Sequence, residues 1–298
     1  TVRWGGVLKA GDQATIQFAV KVLPVNDIAK CAAVISNQAT VANADPQGTP
    51  LTVQPAIALV KRLCPDLGDA PDSTNHGGAP MTAYAGPVMG RYPTVFDPAL
   101  GLPQGPRHRF PRTDAWLGPK VSGERDADQL PDEDLATNLQ PGADVADRDR
   151  YDDGMAKWPT LKNCVQTDMA VNVTVVGGLQ TRYINAWIDW NRDGDWEDSF
   201  QCPGALVSEW VVQNFVTNLN NGAVGVPLPP FLAVDSSTLP DKVRWLRVSI
   251  ADQPAPANPA TQKADGRGPQ LGYRFGETED YPVKFETPAE PILSMTKQ

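Results

Sequence analysis

Residues 189–198 read DWNRDGDWED, which places five acids and an asparagine in ten residues around a single glycine. Calcium takes roughly six to eight oxygen ligands, and a loop supplies them well when oxygen-bearing side chains recur at every second residue. Asp189, Asn191 and Asp193 have that spacing, Gly194 follows where a calcium loop turns sharply, and Asp195 and Glu197 continue the alternation. The chemistry implied is cation binding, with calcium as the cofactor. The loop is not an EF-hand, because Phe200 stands where an EF-hand carries its bidentate glutamate. The flanking sequence also reads as strand. An acidic hairpin without an ion is the alternative, although carboxylates this crowded repel one another unless a cation offsets them.

Other constellations are less specific. Residues 120–154 hold eleven acids against four basic residues. Calcium bridging would hold such chain folded; a solvated acidic loop is the alternative. His76 and His108, with Asp69 and Asp72, offer donors that suit zinc, but their spacing is not diagnostic. Hydrogen-bonded structural histidines are the expectation. No Gly-x-Ser-x-Gly elbow marks a nucleophile, and no catalytic residue is assigned. Trp187, Trp190 and Trp196 cluster around the acidic loop. Exposed, they would stack sugars beside the cation. Strand alternation puts Trp187 and Trp190 on opposite faces, so at least one belongs to the core.

The elements that position these residues are strands. TIQFAVKVL (residues 15–23), AVNVTVVG (170–177), YINAWI (183–188), EWVVQNFV (209–216), VRWLRVSIA (243–251) and YPVKFE (281–286) carry period-two or apolar strand patterns with short turns between them. Residues 65–159 differ: thirteen prolines and little periodicity, yet several aromatics, which reads as irregular chain wrapped on a sheet. The fold class expected is all-β, antiparallel β-sandwich domains of immunoglobulin or jelly-roll type with long Pro/Gly-rich loops. Among four cysteines, the pairings Cys31–Cys64 and Cys164–Cys202 are preferred of the three connectivities possible. Disulfides place the chain outside the cytoplasm.

The formal charge of −9 and the lack of a basic patch argue against a nucleic-acid partner. No apolar run is long enough to span a membrane. The sequence opens directly onto TVRWGG, which reads as the interior of a domain, so a processed product or an excised segment is expected.

LGDAPDS at 67–73, AWIDWNRDGDW at 186–196 and GETEDYPV at 276–283 occur in an order that resembles the GEVED domain of bacterial extracellular proteins. Gly276, Glu277, Glu279 and Asp280 match the motif that gives the family its name, with Thr278 in the variable place. The resemblance spans roughly residues 64–286 and implies β structure and an extracellular setting, with no reaction attached. Glu277, Glu279 and Asp280 are candidates to complete the calcium shell, since the last strand of a sandwich can lie beside a central one. Residues 1–60 resemble part of a β-sandwich repeat of bacterial surface proteins, and the tail EPILSMTKQ resembles that repeat's missing opening strand.

The expected organisation is therefore a partial repeat (residues 1–60), a GEVED-like domain (64–286, with 64–160 as irregular wrap and 161–286 as sandwich core) and an extended tail (287–298). The function expected is that of a non-catalytic extracellular structural protein, a piece of a cell-surface stalk, adhesin or fibre. Its partner would be itself, through head-to-tail strand exchange, or adjacent repeats of one chain. A carbohydrate-binding module with glycan partners is the second reading, and a secreted hydrolase the third.

Overall fold

The computed structural model describes residues 65–73, 78, 80–81, 84–94, 105–121, 123, 151–238 and 243–286, together with strand backbones within residues 34–61. The strand expected at residues 15–23, the pair Cys31–Cys64, His76, the acids of residues 124–150 and the tail 287–298 lie outside the described residues. Strands β1 (Val34–Ala39) and β4 (Ala56–Lys61) pair antiparallel, as do β2 (Asn43–Ala44) and β3 (Pro50–Leu51).

The rest of the described chain is built from β5 (Ala115–Leu117), β6 (Met155–Lys157), β7 (Gln166–Thr167), β8 (Ala170–Val175), β9 (Gln180–Ile188), β10 (Ser199–Cys202), β11 (Ala205–Ser208), β12 (Trp210–Leu219), β13 (Gly222–Pro227), β14 (Phe231–Leu232), β15 (Val243–Ala251) and β16 (Gly276–Lys284). No helix occurs among the described residues, and all strand pairings are antiparallel. One sheet runs β12-β9-β15-β16; a second runs β13-β8-β5, with β6 also paired to β8.

Alternation assigns the faces. Val171, Val173 and Val175 of β8 join Ile184, Ala186 and Ile188 of β9, and Leu246, Val248 and Ile250 of β15, in one buried cluster drawn from both sheets. Successive strand side chains point to opposite faces, so Trp187, Trp245 and Arg247 lie on the other face of the four-stranded sheet. That face is covered too. Ala70, Met81, Tyr84 and Tyr92 pack there with Trp187, Trp196, Trp210 and Trp245. Residues 244–251 of β15 are consequently buried without interruption.

Cys164 and Cys202 form a disulfide with Cα atoms 5.5 Å apart. It ties the chain ahead of β7 to the end of β10.

Candidate cation site and the buried acidic motif

β9 delivers Asp189 to the start of the acidic loop, and the loop folds around it. Oδ1 of Asp189 accepts the Arg192 N–H (2.5 Å), and Oδ2 accepts the Gly194 N–H (3.1 Å) and the Tyr92 hydroxyl (2.6 Å). Asp189 is fully buried. Burial pushes its carboxyl up to about 7; the charge of Asp193 adds to this, while the bonds from Tyr92 and Gly194 oppose it. Its role is to close the turn.

Glu209, just ahead of β12, fastens both ends of the same loop. It accepts the Trp190 N–H at 2.9 Å on Oε1 and the Asp198 N–H at 2.8 Å on Oε2. Burial, then the charge of Asp189, pushes its carboxyl up to about 10.

Held in this way, the loop brings carboxylate oxygens of Asp193, Asp195 and Asp198 within 4.8 Å of one another. Oxygens bound to one calcium at about 2.3–2.6 Å lie up to ~5 Å apart, so the span fits that ion. Asp193 carries the electrostatic cost of the arrangement: burial, then Asp195 and Asp198, push it up to about 6. Asn191 braces the cluster, its Nδ2 donating to Asp198 Oδ2 at 2.7 Å and its Oδ1 accepting the Asp193 N–H at 3.3 Å. Glu197 is exposed, and its backbone N–H donates to Asp195 Oδ1 at 3.1 Å. Of the residues expected from spacing, Asp193 and Asp195 therefore converge. Asp189 is occupied in closing the turn, Asn191 positions Asp198, Glu197 lies outside the trio, and Asp198 takes a place that the alternation did not assign.

The acids of the second motif lie elsewhere. β15 intervenes between β9 and β16, and each acid of β16 is committed to other partners. Asp280 sits opposite Arg247 in the β15–β16 register. Its Oδ1 accepts Arg247 Nε at 2.8 Å and its Oδ2 accepts Nη2 at 2.6 Å, with neither side chain exposed. The same Oδ2 also accepts the N–H groups of Asp69 (2.7 Å) and Ala70 (2.8 Å). Glu279 uses Oε1 for the N–H groups of Asp153 (3.0 Å) and Gly154 (3.1 Å), and Oε2 for the Tyr281 hydroxyl. Burial pushes Glu279 up to about 8 against these bonds. Glu277 is raised as well, by burial first and then by Glu279 and Asp66, while a backbone bond from Leu117 opposes. Glu277, Glu279 and Asp280 thus do not join the acidic loop. They hold residues 69–70, 117 and 153–154 against the edge of the sheet.

Two glycines make this fit possible. Gly276 has φ +117°, and a Cβ there would stand 1.8 Å from the Ile250 carbonyl oxygen. Gly68 has φ +83°, and a Cβ would stand 2.8 Å from Asp280 Oδ2. Both positions exclude a side chain by backbone conformation as well as by space.

Residues 183–284 match the family model described as the GEVED domain. This protein carries a GEVED domain. No match to the chain was found among curated proteins or among solved structures. The matched span runs from within β9 to the end of β16 and so contains the four-stranded sheet, the acidic loop and the motif. The segments that the motif's acids grip at residues 69–70, 117 and 153–154 precede that span. The signature acids of the GEVED domain therefore anchor flanking chain onto it.

The remaining expected sites are interior. Trp187, Trp190 and Trp196 are each at most 1% exposed, so none offers a ring face to a sugar. His108 is buried beneath Tyr273, with ring centroids 4.9 Å apart; its Nε2 lies 2.8 Å from Thr278 Oγ1 and its Nδ1 3.2 Å from the Phe275 carbonyl oxygen. Burial holds it down to about 3, a neutral structural imidazole. Thr278 Oγ1 continues to Ser249 Oγ at 3.1 Å. This hydroxyl–imidazole chain is sealed from solvent, and neither ring nitrogen turns to Asp69 or Asp72 as zinc chemistry would need. Glu209 escaped the sequence reading because it stands outside the acidic run; an isolated glutamate in VSEWVV, among strand residues, was the one signal available.

Proposed function

We propose that this chain is a non-catalytic extracellular structural protein, a subunit or segment of a cell-surface stalk, adhesin or fibre, stabilised by calcium at Asp193, Asp195 and Asp198. The observation that carries this reading is the use made of the GEVED acids. Glu277, Glu279 and Asp280 are each at most 1% exposed; Glu279 and Asp280 are spent on bonds within the chain, and Glu277 accepts a backbone bond from Leu117. Such acids build architecture; a reacting group needs a path to its substrate.

Calcium is supported by the three converging carboxylates and by the unfavourable charge they hold at Asp193. Bound calcium would neutralise that charge and join the two halves of the loop that Glu209 already ties. An extracellular setting is supported by the domain family and by the Cys164–Cys202 disulfide. Among the described residues, no helix is long and apolar enough to cross a membrane. The partner in assembly is a second copy, whose tail (residues 287–298) would add a strand to residues 1–60; adjacent repeats of a longer chain would serve the same purpose.

Calcium-dependent melting tests the core of the reading. Chelation is expected to lower the melting temperature, and Asp193→Ala to abolish the response to added calcium. An unchanged melt in chelator, with metal content near zero, would remove calcium from the account. For assembly, deletion of residues 288–298 is expected to leave monomers; undiminished polymers would rule out exchange through the tail.

A further inference from the structure

We infer that the cleft beside the acidic loop binds a neutral saccharide. The cleft has a volume of about 390 Å³, within the roughly 300–1,000 Å³ of small-ligand sites. It lies where residues 87–91 dock on the loop, an arrangement fixed by the Arg91 N–H donating to the Gly194 carbonyl at 2.7 Å.

The lining combines three kinds of surface. Arg91 contributes a guanidinium whose side chain is 64% exposed and whose Nη1 stands 3.7 Å from Asp195 Oδ2, a loose pairing that leaves donors for a ligand. Asn191 and Asp193 contribute an amide and a carboxylate, and Ser237 and Thr238 contribute hydroxyls. Pro87, Val88 and Met89 form an apolar stretch.

Charge selects the ligand class. Arg192 also lines the cleft, but it is buried with its guanidinium over the Tyr84 ring, so the exposed charges are those of Arg91 and Asp193: an anion entering the cleft meets Asp193, and a cation meets Arg91. A neutral polyhydroxyl compound meets both favourably, because each of its hydroxyls donates one hydrogen bond and accepts others. A guanidinium fork and a carboxylate are complementary to neighbouring hydroxyls on a ring. The C–H face of that ring would rest on Pro87, Val88 and Met89. No aromatic side chain lines the cleft, so a ligand that depends on stacking finds no platform. This recognition does not use the buried tryptophans and takes no contact from a metal; Asp193 is shared with the calcium trio, one carboxylate oxygen for each ligand, and the inference goes beyond the structural function proposed above.

The test is a titration of the full chain with lactose, cellobiose, chitobiose and digalacturonate, followed by NMR shifts of the cleft residues, in calcium and again in chelator. A neutral disaccharide is expected to shift cleft resonances at millimolar concentration under both conditions. Arg91→Ala, whose exposed side chain leaves the fold unchanged by melting, is expected to weaken binding by at least about tenfold, the scale of a lost charge-assisted hydrogen bond. Thr238→Trp is expected to block the cleft. The inference is overturned if no sugar of the panel shifts the cleft, if only digalacturonate does, if binding requires calcium, or if Arg91→Ala binds as well as the parent. Loss of the calcium-dependent melt would leave this result untouched, so the two readings fail separately.

Discussion

Arg247 and Asp280 stand directly opposite one another on neighbouring strands and close two hydrogen bonds in the buried face of the sheet. Arg247 also donates from Nη1 to the Pro93 carbonyl at 2.6 Å and lies over the Trp196 ring at 4.6 Å. Asp280 in turn accepts the N–H groups of Asp69 and Ala70. One ion pair therefore joins the central strand β15, the edge strand β16 and two wrapped segments. Removing one partner strands a buried charge, which costs about 3–5 kcal/mol. Arg247→Leu or Asp280→Ala is expected to lower unfolding free energy on that scale, and the double variant is expected to lose less than the sum. Additive losses in urea melts would show that the pair does not act as a unit.

The pH dependence follows from Glu279. Its folded-state value of about 8 lies above the ordinary 4.5, so the folded chain keeps a proton that the unfolded chain releases. Its contribution to stability is fully present below about pH 4.5 and falls as pH rises towards 8. Glu277 and Asp66, also raised by burial, add slope of the same sign. Glu279→Gln is expected to flatten the decline between pH 5 and 8, by up to one proton in the linkage slope. An identical slope in parent and variant would mean that Glu279 is ionised in the folded chain throughout this range.

Gly276 offers a steric test. Gly276→Ala must relieve both a left-handed φ and contact with the Ile250 carbonyl, so a loss above about 1 kcal/mol is expected. Gly178→Ala, at a turn position where a Cβ meets nothing within 4 Å, is expected to change stability by only a few tenths of a kcal/mol. Equal melting temperatures for the two variants would contradict the close approach of β16 to β15.

The Cys164–Cys202 bond closes a loop over a sequence separation of 38 residues. The chain-entropy model gives about 3–4 kcal/mol for a closure of this length. Cys164→Ser with Cys202→Ser is expected to lose that amount, measured by denaturant unfolding. A loss below ~1 kcal/mol would show that the surrounding strands already hold these ends together.

The strands were legible because they alternate. Val171, Val173 and Val175 mark one face of β8, and Ile184, Ala186 and Ile188 mark one face of β9, whatever their partners are. The acidic loop was legible as a cluster of carboxylates for a similar reason: its side chains are local. Which of them converge was not, because Asp189 is recruited by Tyr92, which lies 97 residues away in sequence. The motif's acids were misplaced on the same ground. Alternation gives a residue's face, not the order of strands in the sheet, and the placement of β15 between β9 and β16 decides which acids meet. The bond from Asp69 to Asp280 crosses 211 residues, and no period in the sequence reports it. Trp187 and Trp190 do point to opposite faces, but Ala70, Met81, Tyr84 and Tyr92 cover the second face, so both are core.

The GEVED acids clamp flanking chain onto the sheet, and amide hydrogen exchange reads those clamps one by one. In the parent protein, the N–H groups of Asp69 and Ala70 end on Asp280, and those of Asp153 and Gly154 end on Glu279. In Asp280→Asn, exchange at residues 69–70 is expected to rise by at least about tenfold while the amides at 153–154 and those within β9 and β15 stay protected. Unchanged protection at Asp69 and Ala70 in that variant would contradict the account.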